Sequence, residues 1–164
     1  GNHKIRKITP TGVVSTIAGK TSLKFLKSKD GVGPEVVFRS VCNITFHGDM
    51  FYLNDHHTIR QMTKSGQVST IAGIKSKNGA KNGPGVVAKF NEPRGLAIAT
   101  VASGACPGSD PTTSCYLVIA DSENHRLRRL LIGVAPDKKY RSYSSRYSSS
   151  SSPPLSTTTT TSSS

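Results

Sequence analysis

"TKSGQVSTIAG", residues 63–73, repeats almost letter for letter the "TPTGVVSTIAG" of residues 9–19. A chain that writes one phrase twice builds one structural unit twice. Working outward, "HKIRKITPTGVVSTIAG" (3–19) aligns without a gap on "HTIRQMTKSGQVSTIAG" (57–73) at a constant offset of 54, and "NHRLRRL" (124–130) opens the same phrase a third time. Upstream of the later copies, "DGVGPEVVF" (30–38) matches "NGPGVVAKF" (82–90), and "FYLNDHH" (51–57) matches "YLVIADSENH" (116–125). The period is about fifty residues, the range of blade-sized repeats.

Within one period, short β-branched segments alternate with turn formers. "NITF" runs to the Gly48-Asp49 turn, "MFYLND" to His56-His57, and "TIRQM" to Lys64-Ser65-Gly66, after which "QVSTIAG" completes the unit. Four short strands joined by tight links describe an antiparallel hairpin stack. A four-stranded sheet recurring at this spacing predicts a β-propeller blade, whose two faces are covered only when neighbouring blades stack. The weak apolar alternation agrees, because a strand packed on both sides need not alternate. The expected fold class is therefore all-β, a partial β-propeller of four-stranded antiparallel blades followed by an extended, non-globular C-terminal tail.

The phrases "DSENHRLR" (121–128), "GxVSTIAG" and "FNEPRGLA" (90–97) resemble the NHL repeat of six-bladed propellers over roughly residues 2–133. Two departures stand out: the second unit has the shorter hairpin "NDHHT" and carries "RSVCNIT" in place of "EPRGLAI". The expected organisation is an NHL-like segment over 1–135, with blade parts 1–19, 38–73 and 90–133, and a tail or linker over 136–164. The chain enters at the third strand of one blade, completes a second and gives three strands of a third. Since these cannot close a ring, it reads as an excerpt of a larger propeller, with assembly of further copies through open blade edges as the alternative.

Lys and Arg exceed Asp and Glu by 13. Strand direction alternates, so the linkers 20–31 and 74–85 share a face with the His-bearing hairpins, where they place Lys20, Lys24, Lys27, Lys29, Lys75, Lys77 and Lys81. This face reads either as a solvated lysine surface or as an anion-binding rim for acidic polysaccharide or nucleic acid. RNA binding, available through the NHL resemblance, is the weaker reading, because Phe25 is the one aromatic in these loops that can stack on bases. His3, His57 and His125 occupy one slot of the repeat. They are expected to fix the hairpin rather than hold a metal, although the resemblance extends to NHL-like peptide-amidating lyases. Asp55 and Asp121 are expected to accept backbone N–H groups in Asx-type turns rather than act as catalytic carboxylates. No triad, metal-spaced cysteine pair or phosphate loop stands out, so neither an enzyme nor a cofactor is expected.

Cys106 and Cys115 flank an inserted loop and are expected to form a disulfide worth about 2–3 kcal/mol, with Cys42 a small core residue. Asn43-Ile44-Thr45 is an N-glycosylation sequon, expected to be used only if Asn43 lies at an exposed strand start. Seventeen of the last twenty-three residues are Ser or Thr, too polar to bury a core. Ser148, Ser149, Ser150, Ser151, Ser152, Ser156, Thr157, Thr158, Thr159, Thr160, Thr161, Ser162, Ser163 and Ser164, around Pro153 and Pro154, are candidates for O-glycosylation of a stalk, with the prolines as candidates after hydroxylation. No apolar run is long enough to span a bilayer as a helix. Together these features predict a non-catalytic, extracellular or cell-surface glycoprotein of structural or adhesive type, an interaction platform for protein partners and a possible filament subunit. The alternatives are an intracellular RNA-binding scaffold and, third, a metal-dependent lyase.

Overall fold

A computed structural model describes residues 2–21, 27–101 and 114–132. Among these residues, ten strands fall into three antiparallel sheets. The first holds β1 (Ile5–Ile8) and β2 (Val14–Ala18). The second is built from β4 (Val41–His47), β5 (Met50–Asp55), β6 (Thr58–Thr63) and β7 (Gln67–Ala72), in that spatial order. Beyond β7 it adds the two-residue β3 (Gly31–Val32), which pairs Gly31 with Val68 and Val32 with Gln67. The third sheet orders β8 (Pro93–Val101), β9 (Ser114–Asp121) and β10 (Arg126–Ile132). The architecture is a partial, open β-propeller of antiparallel blades, as the repeat predicts. The expected tail over 136–164 lies outside the described residues.

The central blade is covered on both faces because its strands send successive side chains opposite ways. Leu53, Met62 and Val68 turn toward the first sheet and join Ala18, Val36 and Phe38. Tyr52, Ile59 and Ala72 turn toward the third and join Ala88, Phe90, Leu117 and Ile119. Val36, Phe38, Ala88 and Phe90 come from the linkers, so each linker wedges two apolar residues between blades. Burying a Leu, Ile, Val or Phe in such a seam contributes about 1.5–3 kcal/mol per side chain.

The closing glycine of "STIAG" is fixed by geometry. Gly19 and Gly73 adopt φ values of 97° and 90°, and a Cβ on either would run into the carbonyl oxygen of His3 or His57. Backbone tolerance and lack of a side chain are both required there.

Cys42 departs from expectation: it is exposed, not a core residue. Asn54 Oδ1 accepts the N–H groups of both Cys42 and Asn43, at 3.3 and 2.7 Å, where the β4–β5 register slips between Val41 and Ile44. Beyond the slip, Ile44 and Phe46 pair with Leu53 and Phe51 on the face turned toward the first sheet and are 44% and 49% exposed.

Two ion pairs frame a test of what holds the blade together. Arg60 and Asp55 pair at 2.8 Å with both side chains wholly buried, whereas Lys64 and Asp49 pair in solvent between two turns. Arg60→Ala strands a buried carboxylate and lowers unfolding free energy by about 3–5 kcal/mol. Lys64→Ala leaves the urea midpoint essentially where it was. Urea denaturation of the two variants checks the contrast.

Candidate functional site: the pinned loop face

The β5–β6 and β9–β10 hairpins end on the same side as the inter-blade linkers, and a recurring ion pair ties each hairpin to its linker. In the central blade Arg60 Nη1 donates to Asp55 Oδ2 (2.8 Å) and to the Val37 carbonyl (3.0 Å). Its Nη2 donates to the Lys29 carbonyl (2.7 Å) and to Asp30 Oδ1 (2.9 Å). In the next blade Arg128 Nη1 reaches Asp121 Oδ2 and the Lys89 carbonyl, and Nη2 reaches the Lys81 carbonyl. Each guanidinium also lies over a linker phenylalanine, Arg60 at 4.9 Å from the Phe38 centroid and Arg128 at 4.2 Å from that of Phe90. Asp, Arg, Phe and two linker carbonyls thus recur as a set.

The carboxylates complete the tie. Asp55 Oδ1 accepts the N–H groups of Arg39 and Ser40, both at 2.8 Å, and Asp121 Oδ1 accepts that of Asn91 at 2.8 Å. These donors lie far along the chain, so the expected Asx-type turn is corrected: Asp55 and Asp121 take their main-chain N–H bonds from a distant segment rather than from their own turn. Ser28 Oγ donates to Asp55 Oδ2, and Asn124 Nδ2 donates to both Asp121 Oδ2 and the Gly79 carbonyl. Burial pushes the Asp30 carboxyl up. Hydrogen bonds from Lys75 and Thr70, with the Arg60 and Lys75 charges, outweigh that push and hold it below the usual 3.8.

The histidines divide by hairpin length. His3, His56 and His125 take the left-handed conformation, with φ of 55°, 56° and 51°. In the first and third units this is the residue aligned by the repeat. In the central blade it is the one before, because Asp55 pairs directly with Thr58 across a two-residue loop, whereas Asp121 pairs with Arg126 across four. His57, freed from that role, accepts the Glu92 N–H on Nδ1 at 3.2 Å, a bond between adjacent blades. Its ring lies 3.5 Å from that of His56, centroid to centroid, and His56 Nδ1 is buried without a hydrogen-bond partner. Among the described residues no group of His, Cys, Asp and Glu is placed to hold a metal ion.

Of the sequence-predicted lysines, Lys20, Lys27, Lys29, Lys77 and Lys81 are exposed on the linkers. Lys75 is half-buried and paired with Asp30 Oδ2 at 2.9 Å, so its charge is partly spent inside the rim. Lys24 and Phe25 lie outside the described residues. Asn43 is the third residue of β4 and half-buried in the bulge, not at an exposed strand start. Cys115 is buried and disulfide-bonded; Cys106, its expected partner, lies outside the described residues, as do Ser148–Ser152, Pro153, Pro154 and Ser156–Ser164. The residues missed from sequence are Arg60, Arg128, Phe38 and Phe90. Their signal was present as a basic residue and a phenylalanine recurring with the two aspartates in the aligned units.

The chain matches no protein-family model and no curated protein. Among solved structures it is similar to a structural-genomics protein of unknown function from Bacteroides thetaiotaomicron, with 24% identity and a TM-score of 0.59 over 78% of this chain and 30% of that one. A second similar structure is an auxiliary nutrient binding protein from the same organism, with 23% identity and a TM-score of 0.58 over 78% of this chain and 32% of that one. The likeness is one of fold, and the chain spans about a third of the length of each. No helix among the described residues is long and apolar enough to cross a membrane.

The histidine pair makes the face sensitive to acid. Burial is the main cause lowering the pKa of both His56 and His57 from the ordinary 6.5, with Arg39 adding to it and Glu92 opposing it. Below that value the unfolded chain takes up protons that the folded chain resists. Stability is therefore complete above pH 6.5 and is lost as pH falls from there through the lower folded values. Urea midpoints measured across this window fall with pH, and the double substitution His56→Gln with His57→Gln flattens the fall.

Proposed function

We propose that this segment is a non-catalytic interaction module of an extracellular or surface-associated protein, an NHL-like part-propeller that presents its lysine-bearing loop face to an acidic partner. The observation that carries this reading is the way the linkers are held. Arg60 and Arg128 grip the carbonyls of Lys29 and Lys81, while the side chains of those lysines stand exposed beside Lys20, Lys27 and Lys77. Positive charge is thereby displayed on a main chain already fixed, which reduces the ordering cost that a flexible basic loop meets on binding.

An acidic polysaccharide is the partner class favoured. Spaced single lysines on separate linkers suit a regularly charged polymer, whereas RNA recognition calls for exposed stacking aromatics, and Phe90 is covered by Arg128. One structural neighbour being described as a nutrient binding protein is in keeping with a binding role for the fold. The Ser/Thr/Pro tract and the loop cysteines are in keeping with a glycosylated, adhesive context outside the cytoplasm.

Titration of the full chain with a sulfated or carboxylated polysaccharide tests the reading. Affinity is expected to fall steeply with salt, and Lys77→Ala combined with Lys81→Ala to weaken binding roughly tenfold and reduce the salt slope. Absence of binding at low salt, or binding that these substitutions leave untouched, rejects it. Preferential, salt-sensitive binding of single-stranded RNA would favour the alternative scaffold.

A further inference from the structure

A trough of about 400 Å³ runs beside β10, the last strand of its sheet among the described residues, and its position repeats a place that is filled in the central blade. There β7 lies between β6 and the short β3, with Val68 seated on Ala18, Val36 and Phe38. The residues at the matching positions of the next unit are Ala72, Ala88 and Phe90, and they line the trough. Leu130, in the place of Met62, forms one wall, while Gly83 and Gly85, in the places of Gly31 and Gly33, form the other. Coverage differs between the two blades: Met62 of β6 is 0% exposed, and its counterpart Leu130 of β10 is only half-buried.

The residues that follow β10 do not carry the pattern that fills this place. Counting from Arg128 as β7 is counted from Arg60, the position of "QVSTIAG" falls to "APDKKYR" at 135–141. Pro136 then stands in place of Val68, without an N–H for a ladder, and Lys138 stands in place of Thr70.

We propose that this trough is a seat for a β-strand donated by a partner polypeptide with the pattern Gly-x-Val-Ser-Thr-Ile-Ala. Main-chain hydrogen bonds to β10 supply affinity, as in other strand additions at a sheet edge, and the apolar floor reads the valine. The leading glycine is read as well. Gly66, which precedes β7 at φ +86°, lies where a Cβ would come 2.5 Å from the Ile17 carbonyl oxygen, and Ile71 is the counterpart of Ile17 in the next unit. This interface is separate from the lysine face and does not rest on the function proposed for it.

The test is titration of the full chain with a labelled peptide of sequence GQVSTIAG, residues 66–73. Binding is expected to saturate, and to weaken by roughly tenfold or more when the peptide carries Gly66→Ala or Val68→Asp. In the protein, Ala88→Phe projects a ring into the trough and is expected to abolish binding; because Ala88 is also buried in the seam, the peptide variants decide the matter if that protein does not fold. The proposal is overturned if the peptide does not bind or if the Gly66→Ala peptide binds equally well. It is also overturned if the β10 amides that do not bond to β9 are already protected from hydrogen exchange without peptide, which would mean that the chain fills its own trough. Concentration-dependent self-association that the peptide competes away would assign the seat to a second copy instead of a partner, and would overturn it too.

Discussion

A guanidinium enclosed in an apolar blade must be neutralised and hydrogen-bonded where it lies, because an unpaired buried charge costs more than a single domain can sustain. Arg60 meets this requirement with Asp55, Asp30 and two linker carbonyls, and Arg128 with Asp121 and two more. The satisfaction of each arginine therefore depends on a linker being in place. Strands within a blade are held by their ladders, but the path between blades is held by these ties, and the His57 bond to the Glu92 N–H and the Asn124 bond to the Gly79 carbonyl reinforce it. The accounting is incomplete at one atom, since Arg60 Nε is buried without a partner, a residual cost accepted in return for four placed bonds.

Packing follows from the same arrangement. With the linkers fixed, Val36 with Phe38 and Ala88 with Phe90 are delivered into consecutive seams, so polar ties and apolar wedges belong to one segment. The arginine faces stack on those very phenylalanines, which joins the two kinds of interaction. The repeat is thus a unit of blade plus linker, and neither half buries its own apolar surface.

Nine of the ten strands and their order within each blade were legible in the sequence because the recurring phrases keep their spacing and the turn residues punctuate them. What was not legible required convergence of distant positions. The arginine and phenylalanine of each tie were visible as repeated letters, yet their shared function depends on segments some thirty residues apart meeting at one point, which no local pattern encodes. The extra strand Gly31–Val32 was hidden because two residues carry no periodicity. Cys42 was assigned to the core from its place in an inner strand, and a single side-chain oxygen, Asn54 Oδ1, shifts the local register there. The histidine slot misled by one residue for a related reason, since a shorter hairpin moves its left-handed position.

The ties grasp linkers chiefly by main-chain oxygen, at Lys29, Val37, Lys81 and Lys89, and so are indifferent to what those residues carry beyond Cα. Sequence drift along the rim can then proceed without eroding the scaffold, and different members of such an architecture can display unlike chemistries on an unchanged frame. Specificity and foldability are, in this molecule, written on separate atoms of the same residues.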